Sequence, residues 1–435
     1  MRLLLASVLT IILFSLFYYS YKLTNDLFSP LCVFSFFQWL RYVPGIGWLN
    51  KDSLVNFDDG FLYLLFIYEF FAIICTFLGY AVYKQYFSSK KMYEIRYRFI
   101  CKKNVAYLAF VLGFIAGLYY LHLWGGAEYV INRLRVENIG VGKGYLMSLM
   151  SYMIVGMVIC LCKDKKVTFK LIVMFLIYAW FYVIFTKRAP IMECLMILVM
   201  AYNYGIKKFK ASDFINIKTV LLLSLCAIYI SVMPVIRNNG GLGSVENFHE
   251  LVNILSEATE SFFYQFSYST RDGFVYSNFN LDNYWYGSNV LNLIYAPLPY
   301  TFFPWKPPID DGVYLLNFMH GYYVQPPSNE FPILSSMPFS TQSVMFANFG
   351  IIGLMIGCFF MGGIYSYFYK IMVCVGRDPF MIIIYQLIVY KLALSSLNIV
   401  QTIVPFVLCL IFAKVLCGWA LYTHGKAEKK NEHSL

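Results

Sequence analysis

The sequence predicts an all-α fold, a polytopic transmembrane helical bundle of about 10–11 spans with one large outer loop domain. Three observations predict it. Of 435 residues, 60% are hydrophobic and 13% charged, with a mean hydropathy of +0.62; a soluble domain carries about a quarter charged residues. The apolar residues gather into runs of roughly 17–25, the length that crosses a hydrocarbon core of about 30 Å. Lys and Arg concentrate in alternate connections between those runs, as topology determinants do.

The first run, Leu3 to Tyr19, follows Arg2 and has no small-x-small cleavage site after it, so it reads as a retained span rather than a signal peptide. Further spans are expected at 60–84, 104–123, 145–162, 167–186, 190–205, 219–236, 345–369, 379–397 and 400–421. Segment 30–48 is apolar over Leu31–Leu40 and then holds Arg41, Pro44, Gly45 and Gly47, which fits either a short span or a re-entrant piece. The connections 84–103, 163–166 and 206–218 and the tail are rich in Lys and Arg and are placed inside. The opposite set, 124–144, 187–190 and 237–344, then faces outward. Four regions follow: N-terminal transmembrane helices (1–236), a large periplasmic loop (237–344), C-terminal transmembrane helices (345–421) and a cytoplasmic tail (422–435).

The net charge of +11 lies between the apolar runs, which assigns it to topology and not to nucleic acid. The eleven cysteines fall in or near the spans without a Cys-x-x-Cys, so the sequence supports neither a disulfide framework nor a metal site. Two Gly-x-x-x-Gly patterns, at 113–117 and 353–357, read as helix-packing notches. Lys391 lies deep in an apolar segment, either as a functional group or paired with a neighbouring acid.

Segment 237–344 is longer than a connection needs to be, and long loops are commonly functional. Val245–Ser256 has helical spacing, Glu260–Phe266 continues it as an aromatic face that includes Tyr264, and Gly287–Tyr300 reads as an interfacial helix. Rings interleaved with Asn, Asp and Arg suit a carbohydrate, whose C–H faces stack while its hydroxyls need polar partners. The alternative is an interfacial aromatic belt. The outer cations are Arg237, Arg271 and Lys306 in this loop, Arg133 and Arg135 in 124–144, and Arg188 in the tight turn 187–190. A planar guanidinium binds phosphate bidentately, so these residues together suit a pyrophosphate lipid; the alternative for each is a loop salt bridge. Asp310-Asp311 reads as a turn feature.

Several patches resemble one family. Phe185-Thr186-Lys187-Arg188-Ala189-Pro190 sits where that family has a small–Arg–small turn. Arg271-Asp272-Gly273 is followed by Tyr286-Gly287 and then by Pro304-Trp305-Lys306-Pro307. Asn348-Phe349-Gly350-Ile351-Ile352-Gly353 opens the span after the long loop, and Arg133 precedes Gly144 by a spacing described for outer loops. In these features the chain resembles the O-antigen or oligosaccharide repeat-unit polymerases (Wzy-type) of Gram-negative bacteria. The likeness covers most of the chain as topology and only short patches as sequence.

The resemblance implies a glycosyltransferase of the bacterial inner membrane that uses no cofactor and no nucleotide sugar. Its partners would be an undecaprenyl-pyrophosphate-linked oligosaccharide, membrane lipid, a chain-length regulator and a flippase. The acceptor's sugar hydroxyl would attack the donor's anomeric carbon while the lipid pyrophosphate leaves. Such a step needs cations for the departing charge and a base for the hydroxyl proton. The candidate bases are Glu330, His320, Asp272 and Glu260. The rival readings are an O-antigen ligase, with the same plan and a different acceptor, and a lipid-linked oligosaccharide flippase.

Overall fold

The computed structural model describes residues 2–47, 59–89, 96–97, 103–133, 144–185, 187–210, 212–213, 216–238, 252–254, 256, 258, 267–296, 298, 302–374, 378–392, 399–416 and 421–422. It is predominantly helical. In chain order the helices are α1 (Arg2–Thr24), α2 (Pro30–Gly47), α3 (Asp59–Ser89), α4 (Lys103–Leu123), α5 (Ala127–Arg133), α6 (Gly144–Asp164), α7 (Phe169–Ile184), α8 (Ala189–Gly205) and α9 (Ile217–Asn238). They continue with α10 (Ser269–Asn278), a 3₁₀ helix (Ser288–Tyr295), α11 (Asp311–Met319), α12 (Thr341–Cys374), α13 (Pro379–Gln386), prolonged by a π turn over Leu387–Lys391, and α14 (Ile399–Leu416). A two-residue strand, Arg96–Tyr97, pairs antiparallel with Leu421–Tyr422.

Among the described residues, each apolar run of the sequence folds as a helix. Among these residues, length and composition qualify four helical stretches to cross a membrane: Arg2–Thr24, Gly60–Tyr86, Asn104–Leu123 and Thr341–Val373. Five more apolar helices, among them Phe169–Ile184 and Ala189–Gly205, are shorter. Large apolar side chains such as Leu4, Phe14, Phe169 and Ile352 are exposed, while the largely apolar interior also holds the polar and charged Gln38, Arg41, Glu69 and Asp272. An apolar surface of this kind suits a hydrocarbon surround.

Helix starts follow their local chemistry. The Thr168 hydroxyl accepts from the Leu171 amide at the head of α7, and Asp378 accepts from the Phe380 amide ahead of Pro379 in α13. The strongest packing joins α3 to α12, α4 to α6 and α1 to α2. The α3–α12 crossing is close because Gly79 and Gly362 put bare backbone at the contact; a Cβ on Gly79 would collide with the Phe359 carbonyl, and one on Gly362 with that of Thr76. Gly113 and Gly117 of α4 likewise admit Met153 and Phe181.

Two elements take a form the sequence left open or did not foresee. Of segment 30–48, Pro30–Gly47 forms one largely buried helix, α2, with Pro44 inside it. It is held at its start by Asp26, which accepts from the Tyr204 and Tyr369 hydroxyls at 2.8 and 3.0 Å. α12 is not one continuous span: Phe349 (φ −143°, ψ 26°) and Gly350 (φ 59°, ψ −146°) break it. The first part, 341–348, folds back so that Met345 packs on Gly353 and Gly357. The second glycine pattern therefore seats the chain's own preceding turn rather than a separate helix. Of the long loop, 267–296 and 302–340 fold against α2, α3 and the start of α12. Of the expected helix Val245–Ser256, residues 252–254 and 256 are described and are helical, while the rest of it and Glu260–Phe266, the expected aromatic face, lie outside the described residues.

Candidate functional site

The described residues gather charge where α2, α3, α10 and the start of α12 meet. α2 brings Arg41 and Tyr42, adjacent residues that are each 1% exposed. α10 starts at Ser269 and brings Arg271 and Asp272 one turn into the loop fold. The two elements are laced by backbone: the Tyr268 amide donates to the Arg41 carbonyl at 3.1 Å, and the Ser269 hydroxyl to the Tyr42 carbonyl at 3.2 Å.

Asp272 is fully buried. One oxygen accepts from the Tyr42 hydroxyl at 2.5 Å and the other from the Ser340 amide at 3.2 Å. A buried carboxylate is tolerated only with such partners. Arg41 Nη1 donates to Gln342 Oε1 at 2.9 Å in the first turn of α12. Glu69 of α3, also fully buried, accepts from the Tyr276 hydroxyl at 2.7 Å.

Tyr268 organises the cations. Arg41 Cζ lies 4.7 Å and Arg271 Cζ 5.4 Å from its ring centroid, both within cation–π range. Burial pushes the Tyr268 phenol up, opposed by the charges of Arg41 and Arg271 and, further off, Arg188. Arg271 also donates to the Pro338 carbonyl at 3.2 Å. Arg188 donates to the Ile230 carbonyl at 2.7 Å, at the head of α8. Two guanidinium groups over one ring concentrate positive charge beside the buried Asp272 carboxylate, and guanidinium is the side-chain group whose geometry matches phosphate.

Of the residues singled out in the sequence, Asp272 and Arg271 come together here, while Arg188 reaches the site through the effect of its charge on Tyr268. His320 and Glu330 do not: both are exposed, His320 ending α11 and Glu330 following the Pro326-Pro327 turn. Lys306 is elsewhere, donating to the Leu298 carbonyl at 2.6 Å, with burial lowering its pKa. Arg133 and Arg237 fall at the ends of α5 and α9, and Arg135, Tyr264 and Glu260 lie outside the described residues. Lys391 pairs with Glu193 of α8 at 2.9 Å. Asp310 caps α11, accepting from the Gly312 amide at 2.9 Å. Among the described residues, no group of three or more His, Cys, Asp and Glu is gathered to hold a metal.

Sequence reasoning passed over Arg41, Tyr42 and Glu69. The signal was present: Arg41 closes an apolar run, and Glu69 is the acid inside the expected span 60–84. An apolar groove of about 660 Å³ opens beside the site, lined by Tyr284, Tyr286, Asn289, Thr341, Phe349 and Ile352 among others. A smaller one of about 260 Å³ lies between α1 and α2, against Phe14 and Trp39. Neither is lined by Arg41, Arg271 or Asp272; the larger meets the site through Thr341, neighbour of Ser340 and Gln342. No family model matches the chain, and no curated protein or solved structure matches it.

Proposed function

We propose that this chain polymerises undecaprenyl-pyrophosphate-linked oligosaccharide repeat units at the periplasmic face of a bacterial inner membrane, as a glycosyltransferase. On this reading the shorter apolar helices complete a bundle of about 10–11 spans around the four long ones. The observation that carries the proposal is the pair of guanidinium groups, Arg41 and Arg271, on the Tyr268 ring directly beside buried Asp272.

In the proposed step the acceptor hydroxyl oxygen bonds to the donor's anomeric carbon. The bond from that carbon to the phosphate oxygen breaks, and its electron pair leaves with the pyrophosphate. Arg41 and Arg271 stabilise that charge. The hydroxyl proton passes to Asp272 by way of the Tyr42 phenol bonded to it. Pyrophosphate leaves readily as an anion, so a strong general acid is not required. The groove beside Thr341 offers apolar surface to the lipid chain.

The test is purified protein in vesicles with synthetic lipid-linked repeat units. The wild type should build ladders of increasing length from repeat units alone. Arg41→Ala and Arg271→Ala should each lower turnover by roughly 10²–10³-fold, the usual worth of one charge-stabilising donor. Transfer only to a lipid A core acceptor would make the chain a ligase, and full ladders from both variants would remove the arginines from the site.

A further inference from the structure

The ion pair between Lys391 and Glu193, 2.9 Å long, has no part in the glycosyl-transfer step described above. It joins two apolar helices, α8 and the π turn that prolongs α13. Apolar side chains of similar volume would join them about as stably, because the cost of taking charges out of water offsets their attraction. A pair of this kind is kept for what it holds in register. The π turn is a second unusual feature, since such turns are rare and occur frequently at functional sites. Both features fall on Lys391, the last residue of the π turn.

From Lys391 a line of contacts leads to Arg41. The carbonyl of the next residue, Leu392, accepts from the Thr341 hydroxyl at 3.3 Å. Thr341 opens α12 behind Ser340, whose hydroxyl caps the helix by accepting from the Ser343 amide at 3.0 Å. Three consecutive residues here hold three different elements. The Ser340 amide holds Asp272 of α10, the Thr341 hydroxyl holds the end of the π turn, and the Gln342 side-chain oxygen holds Arg41 of α2. A second tie runs beside the first: the Tyr390 ring meets that of Phe37 at 5.4 Å, one turn of α2 before Arg41. Because α12 breaks at Phe349 and Gly350, its first turn leans on these lateral contacts rather than on the long helix beyond the break.

We propose that Lys391 and Glu193, acting through Thr341, are positioning residues for the arginine site. The pair pins the π turn to α8, the π turn fixes the first turn of α12, and that turn sets Arg41 against the departing pyrophosphate. This role rests on the glycosyl-transfer reading. A charge aids the step only where it is held, and a displacement of about 1 Å can cost roughly 10²-fold in rate. On this account neither Lys391 nor Glu193 touches substrate.

The test uses full-length protein and the vesicle assay above. Thr341→Val removes the hydroxyl and keeps the shape, whereas Thr341→Ser keeps the hydroxyl. Lys391→Met together with Glu193→Gln removes both charges and leaves neither unpaired. Thr341→Val and the charge-free pair should each lower kcat by about 10²-fold with KM unchanged, while Thr341→Ser stays near wild type. Combining Thr341→Val with the charge-free pair should add no further loss, since both interrupt one route. Thermal unfolding in detergent gives a readout independent of activity. The midpoint shifts of the charge-free pair and of Gln342→Met should be non-additive, and additive once Thr341→Val is present. A wild type that builds no ladders would refute the glycosyl-transfer reading and leave the unfolding cycle to decide this one. Should the charge-free pair fail to fold, the comparison of Thr341→Val with Thr341→Ser decides, in kcat and in a cycle with Gln342→Met. Additive midpoints, wild-type kcat in Thr341→Val, a loss confined to KM, or an equal loss in Thr341→Ser would overturn the positioning role.

Discussion

The Tyr42–Asp272 contact joins residues 230 positions apart in the chain and decides how the site responds to substitution. Tyr42→Phe removes the donor and leaves a fully buried carboxylate oxygen without a partner. We expect it to cost about 1–3 kcal/mol, the penalty for an unsatisfied buried group, read as a lower unfolding midpoint. Asp272→Asn keeps the size and removes the charge. On the proposed mechanism it should lower turnover by roughly 10²–10⁴-fold while lipid-linked substrate still binds; unchanged turnover would return the search to other carboxylates. Arg271 and Asp272 were legible as candidates because they stand together in an outer loop. Arg41 and Glu69 were not, although each was visible as a charge in an apolar run. Their partners, Gln342 and Tyr276, lie hundreds of residues away, and no local pattern announces such pairings.

Among the elements, the helical runs were legible almost throughout, because twenty apolar residues in a row leave the backbone little choice but to satisfy itself. The break in α12 was not. Asn348-Phe349-Gly350 reads as the head of a span, yet its backbone reverses there. Gly350 sits at φ 59° with the Tyr284 hydroxyl against its missing side chain, so no other residue fits. Gly350→Ala is expected to cost about 1–2 kcal/mol from the left-handed backbone alone, and more from the collision. The measurement is thermal unfolding in detergent beside Gly321→Ala, where φ is 85° but nothing lies within 4 Å of the new carbon. Equal losses in the two variants would show that Tyr284 does not hold the break.

For the whole molecule, the positive-inside distribution predicts that 267–340 and the α6–α7 turn lie on opposite sides of the bilayer. In a cysteine-free background, single cysteines at exposed Asp282 and Tyr322 should react with an impermeant maleimide in cells with a permeabilised outer membrane. One at exposed Lys166 should react only after the inner membrane is opened. The reverse pattern would turn the molecule over and place Arg41 and Asp272 on the cytoplasmic side.

The Arg41–Gln342 bond also sets a clock. The two residues are 301 positions apart, and a ribosome adding roughly 5–20 residues per second needs about 15–60 s to make that stretch. Throughout this interval α2 carries a guanidinium whose site is not yet built. Such a charge held at the bilayer centre costs about 2.5–3.5 kcal/mol by insertion scales. The nascent α2 is therefore expected to wait near the interface and to sink only when α10 and the first turn of α12 arrive. A chain stalled before Ser269 should leave Phe34 and Ser35, both buried in the finished structure, open to an aqueous maleimide once replaced by cysteine. The same positions in the finished chain should be slower to react, because assembly closes them last.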